Sequence, residues 1–383
     1  MNISKCHNLM AFRAPAKRRL PRTIFGYLDG GADDEISLRR NTSAFDDYEL
    51  LPSQLAGIGK VDLSTTLFGK QVEWPVMMSP TSAAKLYHAD GEVGAVRAAG
   101  KAGIWYGLST ISTSTIEEVT AAASGPVMYQ VYVFRDRGLT RDFVERCKAS
   151  KVDALCLTVD TPVAGNRERD LVTGLSGANF FNWRSVLSYA THPGWVYRAV
   201  VKKDVELKNI TASEHSDASF DQGVMEYINS QFDATLSWKD FEWLAEQWDG
   251  PLVIKGVQTV EDCRKAADCG ATAVMLSNHG GRQLESAPAP VDCIADVADA
   301  LRDRLEIICD GGIRRGNHVA KALAEGANAC SIGRGYLYAL AAGGEAGVER
   351  ALQLLRDEFE RTMVLLGCDS VAKLGRSYVR RRR

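Results

Sequence analysis

His279 and Arg282 lie three residues apart in a loop that also contains Gly280 and Gly281. An imidazole oriented by a carboxylate can act as a general base, and a guanidinium can bind a substrate carboxylate through two parallel hydrogen bonds. Asp160, at the end of a separate apolar run, supplies the carboxylate. A single histidine is more often structural, but these residue types together predict removal of a proton next to a carboxylate group.

Two further cations follow apolar runs. Arg167 would form a second contact to a substrate carboxylate, although an arginine in a loop is usually solvated. Lys255 ends the apolar run 252–254, and the sequence leaves two interpretations open. It either forms a structural salt bridge at the strand end, or it provides a preorganised cation for an anionic intermediate or a reduced cofactor.

Two glycine-rich turns carry an arginine each, DGGIR at 310–314 and GRG at 333–335. Free backbone N–H groups and helix N-termini at such turns bind phosphate, and Arg314 and Arg334 would complete the site. Alternatively, the glycines only form tight turns between strands and helices. We favour a phosphate site because two such turns occur, each with an arginine.

The elements that must position these residues are short apolar runs that alternate with amphipathic segments. The runs are at 75–78, 104–107, 127–132, 154–159, 252–255, 273–276, 306–309 and 329–332. Eight strand-helix repeats of roughly 20–35 residues predict parallel strands closed into a (β/α)8 TIM barrel of the α/β class, with its active site at the carboxyl ends of the strands. The gap between the fourth and fifth runs is longer and predicts an insertion of about 70 residues after strand four, at 165–238.

Composition excludes several classes of protein. The 383 residues carry a net charge of -2, which gives no global field for nucleic acid. Six scattered histidines have no metal-ligand spacing, so no metal is expected, and nine cysteines without a C-x-x-C pair predict buried thiols in a reducing compartment. A secretory signal and a membrane-spanning helix are not expected. The basic end 380–383 is predicted to be a frayed tail.

Five stretches resemble the FMN-dependent (S)-2-hydroxy acid oxidases and dehydrogenases, which include glycolate oxidase, L-lactate dehydrogenase and L-mandelate dehydrogenase. They are SNHGGRQL at 277–284, YLDGGA at 27–32, LTVDTP at 157–162, DGGIRRG at 310–316 and IGR at 332–334. The similarity runs from about Pro21 to about Cys368. It implies FMN as cofactor and one domain over 1–383, with a barrel at about 75–345 preceded by an N-terminal helical extension.

The resemblance also implies a role for each site residue. His279 would be the base that takes a proton from the substrate α-carbon or hydroxyl, and Asp160 would stabilise the imidazolium. Arg282 and Arg167 would hold the substrate carboxylate together with Tyr27. Tyr132 would bind the oxygen that becomes the ketone, and Lys255 would lie at the flavin edge. The remaining residues that would contact FMN are Pro80, Thr81, Ser82, Ser109, Gln130, Thr158, Ser277, Asp310, Gly311, Gly312, Arg314, Gly333 and Arg334.

Three positions depart from the family pattern. Ser82 stands where relatives usually carry Ala or Gly, and it would alter substrate room or the behaviour of the flavin. Ile111 stands where glycolate oxidases carry Trp, which disfavours a glycolate oxidase. Glu285 stands where Asp is usual, so a contact behind the site is expected to be rearranged.

The resemblance favours an L-lactate dehydrogenase that passes electrons to a quinone or cytochrome, since THPGW at 191–195 looks like the bacterial respiratory enzymes. The alternatives are an oxidase that uses oxygen and, from another class, an isomerase or a non-catalytic flavin-binding barrel.

Six aromatic residues in 180–198 make the insertion either a lid on the barrel or a surface that docks peripherally on the cytoplasmic face of the inner membrane. The six are Phe180, Phe181, Trp183, Tyr189, Trp195 and Tyr197. The family resemblance implies a cytoplasmic homotetramer.

Overall fold

Eight parallel strands form a closed barrel in the computed structural model, which describes residues 3–174, 183–213 and 230–382. Each strand pairs with the next one along the chain, and the eighth pairs with the first. The predicted (β/α)8 fold is confirmed. The strands are β1 (Val76–Thr81), β2 (Tyr106–Ser109), β3 (Val127–Val131), β4 (Ala154–Thr158), β5 (Leu252–Val257), β6 (Ala273–Ser277), β7 (Glu306–Asp310) and β8 (Ala329–Ile332).

A helix follows each strand and covers the outside of the barrel. Side-chain caps explain where two of them begin, since Thr115 and Thr259 each accept a hydrogen bond from the backbone N–H three residues on. The last helix is kinked at Gly343 and Gly344. The helices are α1 (Gly91–Lys101), α2 (Ile116–Ala122), α3 (Arg137–Ala149), α4 (Trp238–Gln247), α5 (Val260–Asp268), α6 (Pro290–Leu301), α7 (Gly316–Glu325) and α8 (Arg334–Leu366).

Several strands extend further than the apolar pattern predicts. Ser277 and Asp310, expected in the loops, are the last residues of β6 and β7 and pair with each other in the parallel register. Thr81 ends β1 and pairs with Leu108 after a bulge. Polar residues continue the backbone ladder because the hydrogen bonds do not depend on the side chain. Much of the site is therefore built on strands rather than on loops.

A hairpin closes the amino end of the barrel. Its strands are Thr65–Leu67 and Lys70–Val72, and Phe68, in the turn between them, is buried against the interior. The ring of Phe68 packs edge-on against Trp105 with centroids 5.0 Å apart. An apolar plug at this end leaves the carboxyl end as the open mouth.

The predicted N-terminal helical extension is present and lies over the carboxyl end. Its helices are Arg13–Arg19, Arg22–Asp29 and Ile36–Ser43, and short 3-10 turns lie at Ile3–Lys5, Leu9–Phe12 and Ala44–Asp47. Asp29 is buried and accepts hydrogen bonds from Arg13 at 2.6 and 2.7 Å, from Arg169 at 2.9 Å and from the Tyr338 hydroxyl at 2.8 Å. The extension is thereby bound to both the insertion and α8.

A long insertion follows β4, as predicted. Its described helices are Glu168–Thr173, Trp183–Ala190, Pro193–Val196 and Lys208–Thr211, with a π-helical turn at Tyr197–Val201. Phe180 and Phe181 lie outside the described residues. Tyr189 stacks on Trp195 at 5.6 Å, and the Trp195 indole N–H donates to the Leu86 carbonyl at 2.7 Å. These two aromatics therefore pack against the chain itself, as expected for a lid.

The prediction of a frayed C-terminus is wrong. Val379–Arg381 forms a strand antiparallel to Tyr48–Leu50, and Arg380 and Arg382 both pair with Glu49. Both arginine charges are paired with the Glu49 carboxylate on the neighbouring strand, which stabilises an ordered C-terminus. Two 3-10 turns, Val371–Lys373 and Arg376–Tyr378, precede it, and a third, Ala84–Leu86, follows β1.

The nine cysteines are free thiols, of which only Cys269 is not buried, as the sequence predicts. None of the helices in the described part of the chain combines the length and apolar character that a membrane span requires.

Candidate active site

A cavity opens at the carboxyl end of the barrel, and every strand contributes to its wall directly or through the loop that follows it. The structure brings nearly all predicted site residues to this cavity. Those that line it are Tyr27, Pro80, Thr81, Ser82, Ser109, Gln130, Tyr132, Thr158, Arg167, Lys255, His279, Arg282, Asp310, Gly311, Gly312, Arg314, Gly333 and Arg334. The two other predicted residues contact residues of its wall: Asp160 is paired with His279, and Ser277 accepts a hydrogen bond from Lys255.

His279 and Asp160 form the pair that the sequence predicts. Nδ1 of His279 lies 2.9 Å from Oδ1 of Asp160. The carboxylate selects the tautomer that carries its proton on Nδ1, which leaves the Nε2 lone pair for a proton acceptor role. Gly256 allows β5 to lie close to Asp160, because a Cβ at position 256, where φ is +104°, would lie 2.7 Å from the Asp160 side chain.

The environment sets the protonation states of this pair. Burial lowers the pKa of His279 below its ordinary value and outweighs the opposing effect of Asp160, so the imidazole is neutral near pH 7. Burial would raise the pKa of Asp160, but the charges of His279 and Lys255 and the histidine hydrogen bond lower it overall. A neutral base beside an ionised carboxylate is the arrangement that proton abstraction needs.

Tyr27 lies between two guanidinium groups. Arg282 and Arg167 lie 4.6 and 5.5 Å from its ring centroid. Burial would raise the pKa of the phenol, but these two cations lower it overall. Arg282 Nη1 donates to the Tyr27 carbonyl at 2.6 Å, and Arg167 Nε lies 2.9 Å from Asp170 Oδ2. Two arginines and a phenol at one wall are groups that can bind a carboxylate.

Lys255 has a carboxylate partner. Its Nζ lies 3.2 Å from Asp310 Oδ2 and donates to Ser277 Oγ at 3.1 Å, and Ser277 Oγ donates to Asp310 at 2.8 Å. Burial would lower the pKa of the ammonium, but Asp310 and Asp160 raise it overall. Of the two open interpretations, the salt bridge is present, and the lysine also lines the cavity as a fixed cation.

Three buried polar atoms at the cavity have neither a hydrogen-bond partner nor an ion-pair partner among the described residues. They are Gln130 Nε2, Thr158 Oγ1 and Ser331 Oγ. Buried polar groups are nearly always hydrogen-bonded, so these atoms point to a ligand with donors and acceptors along its edge. A flavin ring has such an edge. Ser109 Oγ donates to Gln130 Oε1 at 3.0 Å and so presents the amide N–H2 of that side chain.

The two glycine-rich turns lie at one side of the cavity. Gly312 has a φ of +75°, and a Cβ there would lie 1.8 Å from the Asn41 carbonyl oxygen, so only glycine fits. Arg334 donates to the carbonyls of Leu28, Gly280 and Gly30 at 3.1, 2.7 and 2.6 Å. Burial, then the nearby Arg282 and Arg314 charges, lowers the pKa of Arg334 to about 9, so it remains a cation at neutral pH.

Some residues that line the cavity were not predicted from the sequence. Ser331 lies within an apolar run, and its polarity at the next-to-last position of β8 is the signal that could have identified it. Gln283 donates from Nε2 to the carbonyls of Asp160 and Val163, both at 2.9 Å, and fixes the loop after β4. Phe232 packs edge-on against Tyr132 at 5.1 Å and comes from the insertion, where nothing in the sequence marks it.

The three unusual positions have identifiable contacts. The Ser82 hydroxyl lies 3.2 Å from the Tyr27 hydroxyl, inside the cavity. Ile111 lines the same cavity. The Glu285 carboxylate accepts hydrogen bonds from the backbone N–H groups of Ile36 and Ser37 at 2.9 and 2.7 Å, which joins its loop to the N-terminal extension.

Known proteins are similar to this chain in sequence and in fold. Residues 16–381 match the sequence profile of the family described as FMN-dependent dehydrogenase. An L-lactate dehydrogenase of Ectopseudomonas mendocina (strain ymp) is 42% identical over 367 residues, covering 95% of this chain and 96% of that protein. An L-lactate dehydrogenase of Xanthomonas campestris pv. campestris (strain B100) is 43% identical over 364 residues, covering 95% and 94%.

Solved structures agree. A monotopic membrane protein, (S)-mandelate dehydrogenase, superposes with a TM-score of 0.92 at 32% identity and covers 99% of this chain and 100% of that one. A flavocytochrome b2 mutant with pyruvate bound superposes with a TM-score of 0.83 at 33% identity, covering 99% and 88%. The chain therefore belongs to the FMN-dependent dehydrogenase family, and it carries out the FMN-dependent oxidation of a 2-hydroxy acid.

Proposed function

We propose that the substrate is L-lactate, that the product is pyruvate and that a quinone takes the electrons. The observation that carries the proposal is the His279–Asp160 pair beside a pocket with two arginines, in one cavity with the three unsatisfied polar atoms. The names of the relatives that match almost the whole chain support lactate as the hydroxy acid. Pyruvate, bound in the related flavocytochrome b2, is the product of lactate oxidation.

In the proposed reaction, Arg282, Arg167 and Tyr27 hold the lactate carboxylate. Tyr132 binds the oxygen that becomes the ketone, and burial raises the pKa of its hydroxyl so that it stays protonated. His279 takes a proton from the substrate at Nε2, and Asp160 stabilises the resulting imidazolium. FMN, when bound, supplies the two-electron acceptor.

We assign FMN to the other side of the same cavity. Gln130, Thr158 and Ser331 would satisfy their free polar atoms on the flavin ring, with Ser109 and the segment Pro80–Ser82 beside it. Lys255 would face the ring edge as a fixed positive charge. The phosphate would lie at the backbone of Gly311, Gly312 and Gly333, with Arg314 and Arg334 as its cations.

Anaerobic reduction tests the substrate assignment. We expect L-lactate to bleach the oxidised flavin band faster than glycolate, L-mandelate or D-lactate. A soluble quinone analogue and oxygen, added separately to the reduced enzyme, then identify the acceptor. Rapid reoxidation by oxygen with hydrogen peroxide release would make the protein an oxidase, and no bleaching by any 2-hydroxy acid would remove the proposed activity.

Peripheral docking on the cytoplasmic face of the membrane would bring the cavity to a lipid-soluble quinone. The insertion supports it, because its described part exposes aliphatic residues next to basic ones. In the segment 186–203 the exposed large apolar residues are Val186, Leu187, Tyr197, Val200 and Val201, and basic residues of the same segment are Arg198, Lys202 and Lys203. The monotopic membrane character of the related (S)-mandelate dehydrogenase agrees with this surface.

Sedimentation with vesicles that contain phosphatidylglycerol tests the docking. Replacing Val200 and Val201, which are 66% and 65% exposed, with serine should reduce vesicle recovery and quinone turnover while L-lactate still bleaches the flavin anaerobically. Val364 and Leu365 are exposed on α8, and their replacement with serine is the matched control. Equal vesicle recovery of both double variants would remove the docking role and leave the insertion as a lid.

The single domain over 1–383 and the homotetramer remain predictions. Analytical ultracentrifugation of the FMN-loaded protein measures the assembly, and one cooperative thermal transition is expected for one domain.

A further inference from the structure

Asn41 and Asn278 form a reciprocal amide pair under the loop that carries the base. Nδ2 of Asn41 donates to Oδ1 of Asn278 at 2.7 Å, and Nδ2 of Asn278 donates to Oδ1 of Asn41 at 2.7 Å. The two residues are 3% and 4% exposed. Buried side-chain hydrogen bonds of this length are costly to break, since a lost partner leaves an unsatisfied amide. Asn278 is the residue before His279.

Other contacts fix the amide orientation of Asn278. Its Oδ1 also accepts from the Gly281 N–H at 2.9 Å, and its Nδ2 also donates to the Pro288 carbonyl at 3.1 Å. A flipped amide would place N–H2 against the Gly281 N–H and oxygen against the Pro288 oxygen. Asn41 therefore has to offer both a donor and an acceptor, and asparagine supplies them at the right distance.

The loop needs an external support because its backbone is strained. His279 has a φ of +57°, in the left-handed region, and is followed by Gly280 and Gly281 at +68° and +72°. A non-glycine residue in this region costs about 1–3 kcal/mol, which the surroundings must balance. The Gly281 carbonyl accepts from the Ala32 N–H at 2.9 Å, again from the N-terminal extension.

We infer that Asn41 is a positioning residue for His279: through Asn278 it holds the loop in the conformation that presents the imidazole to Asp160 and to the substrate. The inference rests on the proposed role of His279 as base. Arg282, further along the loop, has its own anchors in the carbonyls of Tyr27 and Gly30 at 2.6 and 3.2 Å. The amide pair should therefore matter more for the base than for substrate binding.

Asn41 also touches the phosphate turn, mainly through its backbone carbonyl, which lies against Gly312, while its Nδ2 lies 3.6 Å from where a Cβ on Gly311 would be. Replacing its side chain leaves the close backbone contact in place. Asn41→Ala should thus separate the two functions of the cavity, with FMN binding retained and proton abstraction impaired.

Anaerobic stopped-flow reduction of the FMN-loaded enzyme by L-lactate provides the first test. For Asn41→Ala we expect the limiting rate of flavin reduction to fall about tenfold or more, because a small misplacement of a catalytic group has effects of this size. The apparent dissociation constants of L-lactate and FMN should change by less than about threefold. Asn41→Asp keeps the shape but places an oxygen against Asn278 Oδ1, so it should be impaired as well.

Asn209→Ala is the matched control. Asn209 is fully buried, and its amide accepts hydrogen bonds from the Ile116 N–H at 2.9 Å and from Arg146 Nη2 at 3.5 Å and donates one to the Ser112 hydroxyl at 2.5 Å. We expect it to lower the melting temperature with a normal limiting rate.

Hydrogen exchange gives a second readout that does not depend on turnover. In the FMN-loaded protein, Asn41→Ala should accelerate amide exchange in the peptide that covers 278–286, and Asn209→Ala should not. A limiting rate and an exchange rate in Asn41→Ala equal to wild type would overturn the inference. If the wild-type flavin itself resists every 2-hydroxy acid, the proposed function fails instead, and the exchange measurement still decides the support of the loop.

Discussion

The part of the cavity proposed to bind substrate (His279, Arg282, Arg167 and Tyr27) is called the substrate side, and the part proposed to bind the FMN phosphate (Gly311, Gly312, Gly333, Arg314 and Arg334) the phosphate side. The two differ in how their charges are balanced. On the substrate side, His279 and Arg167 each face a carboxylate, from Asp160 and Asp170. On the phosphate side, Arg314 and Arg334 line the same cavity, and no carboxylate of the described residues lies within ion-pair distance of either guanidinium. Arg282 also has no carboxylate of the described residues within ion-pair distance, so the substrate side is balanced in part by the chain itself and the phosphate side is not.

This difference indicates what each side requires from its ligand. A buried cation without a counter-ion carries an unfavourable desolvation free energy, which an anion can offset. Burial lowers the pKa of Arg314, as it does that of Arg334. The phosphate side should therefore gain stability from FMN, whereas the substrate side is organised before the substrate arrives. Reactivity and cofactor affinity should then respond to different substitutions.

The largest expected effect is on reactivity, from His279→Ala. We expect the rate of anaerobic flavin reduction by L-lactate to fall roughly 10²–10⁴-fold, the usual contribution of a general base. FMN absorbance after gel filtration should match wild type, because the phosphate side is unchanged. Normal reduction kinetics in this variant would exclude His279 as the base.

Arg334→Ala should have the opposite pattern. Removing one partner of a buried charge pair costs about 2–5 kcal/mol, here in the free energy of FMN binding. Arg282→Lys is the comparison, since an ammonium cannot reproduce the bidentate carboxylate contact, and it should weaken L-lactate more than FMN. Titration of each variant with both ligands checks this, and the same ligand being weakened in both would contradict the division of the cavity.

The pH dependence of kcat/KM tests the His279–Asp160 pair on the substrate side. The base must be neutral, so kcat/KM should fall about tenfold per pH unit once the pH drops below the His279 pKa. Burial lowers that pKa, which places the acid limb below the usual ~6.5. The Asp160 charge raises it, so Asp160→Asn should slow the reaction and move the limb to lower pH. If the acid limb of Asp160→Asn stays at the wild-type pH, a group other than His279 causes it.

The fold and most of the site were predictable from sequence because they depend on local patterns. The run 154–159 and the glycine turns after strands seven and eight each carry their own signal. Barrel geometry then brings the polar residues at strand ends together. Lys255 shows the limit, because its partner Asp310 lies on another strand and the sequence alone could not choose between salt bridge and cofactor contact.

The residues that were missed depend on tertiary pairing. Asn41 lies in an unremarkable helix, and its importance arises only from an amide 237 positions away. The C-terminal arginines have the composition of a disordered tail, yet Glu49 across a strand pair orders them. Contacts of this kind leave no local sequence pattern. The composition of the C-terminus therefore wrongly predicted a frayed tail, and the sequence around Asn41 gave no sign of its amide partner.

The smallest expected effect comes from Ser82, which lies where the two sides meet. Its hydroxyl is 3.2 Å from that of Tyr27, whose pKa the two arginines lower. The serine can hold the phenol toward the cavity wall, and a partly buried hydrogen bond of this kind contributes about 0.5–1.5 kcal/mol.

Ser82→Ala should therefore raise the apparent dissociation constant of L-lactate by roughly 2- to 10-fold. The limiting reduction rate and FMN affinity should stay within about twofold, because His279 and the arginines of the phosphate side are untouched. Thr66→Ala, on the hairpin at the opposite end of the barrel, is the control, since its hydroxyl bonds Gln71 at the surface. A change confined to the reduction rate would assign Ser82 to the flavin rather than to the carboxylate pocket, and the boundary between the two sides would move accordingly.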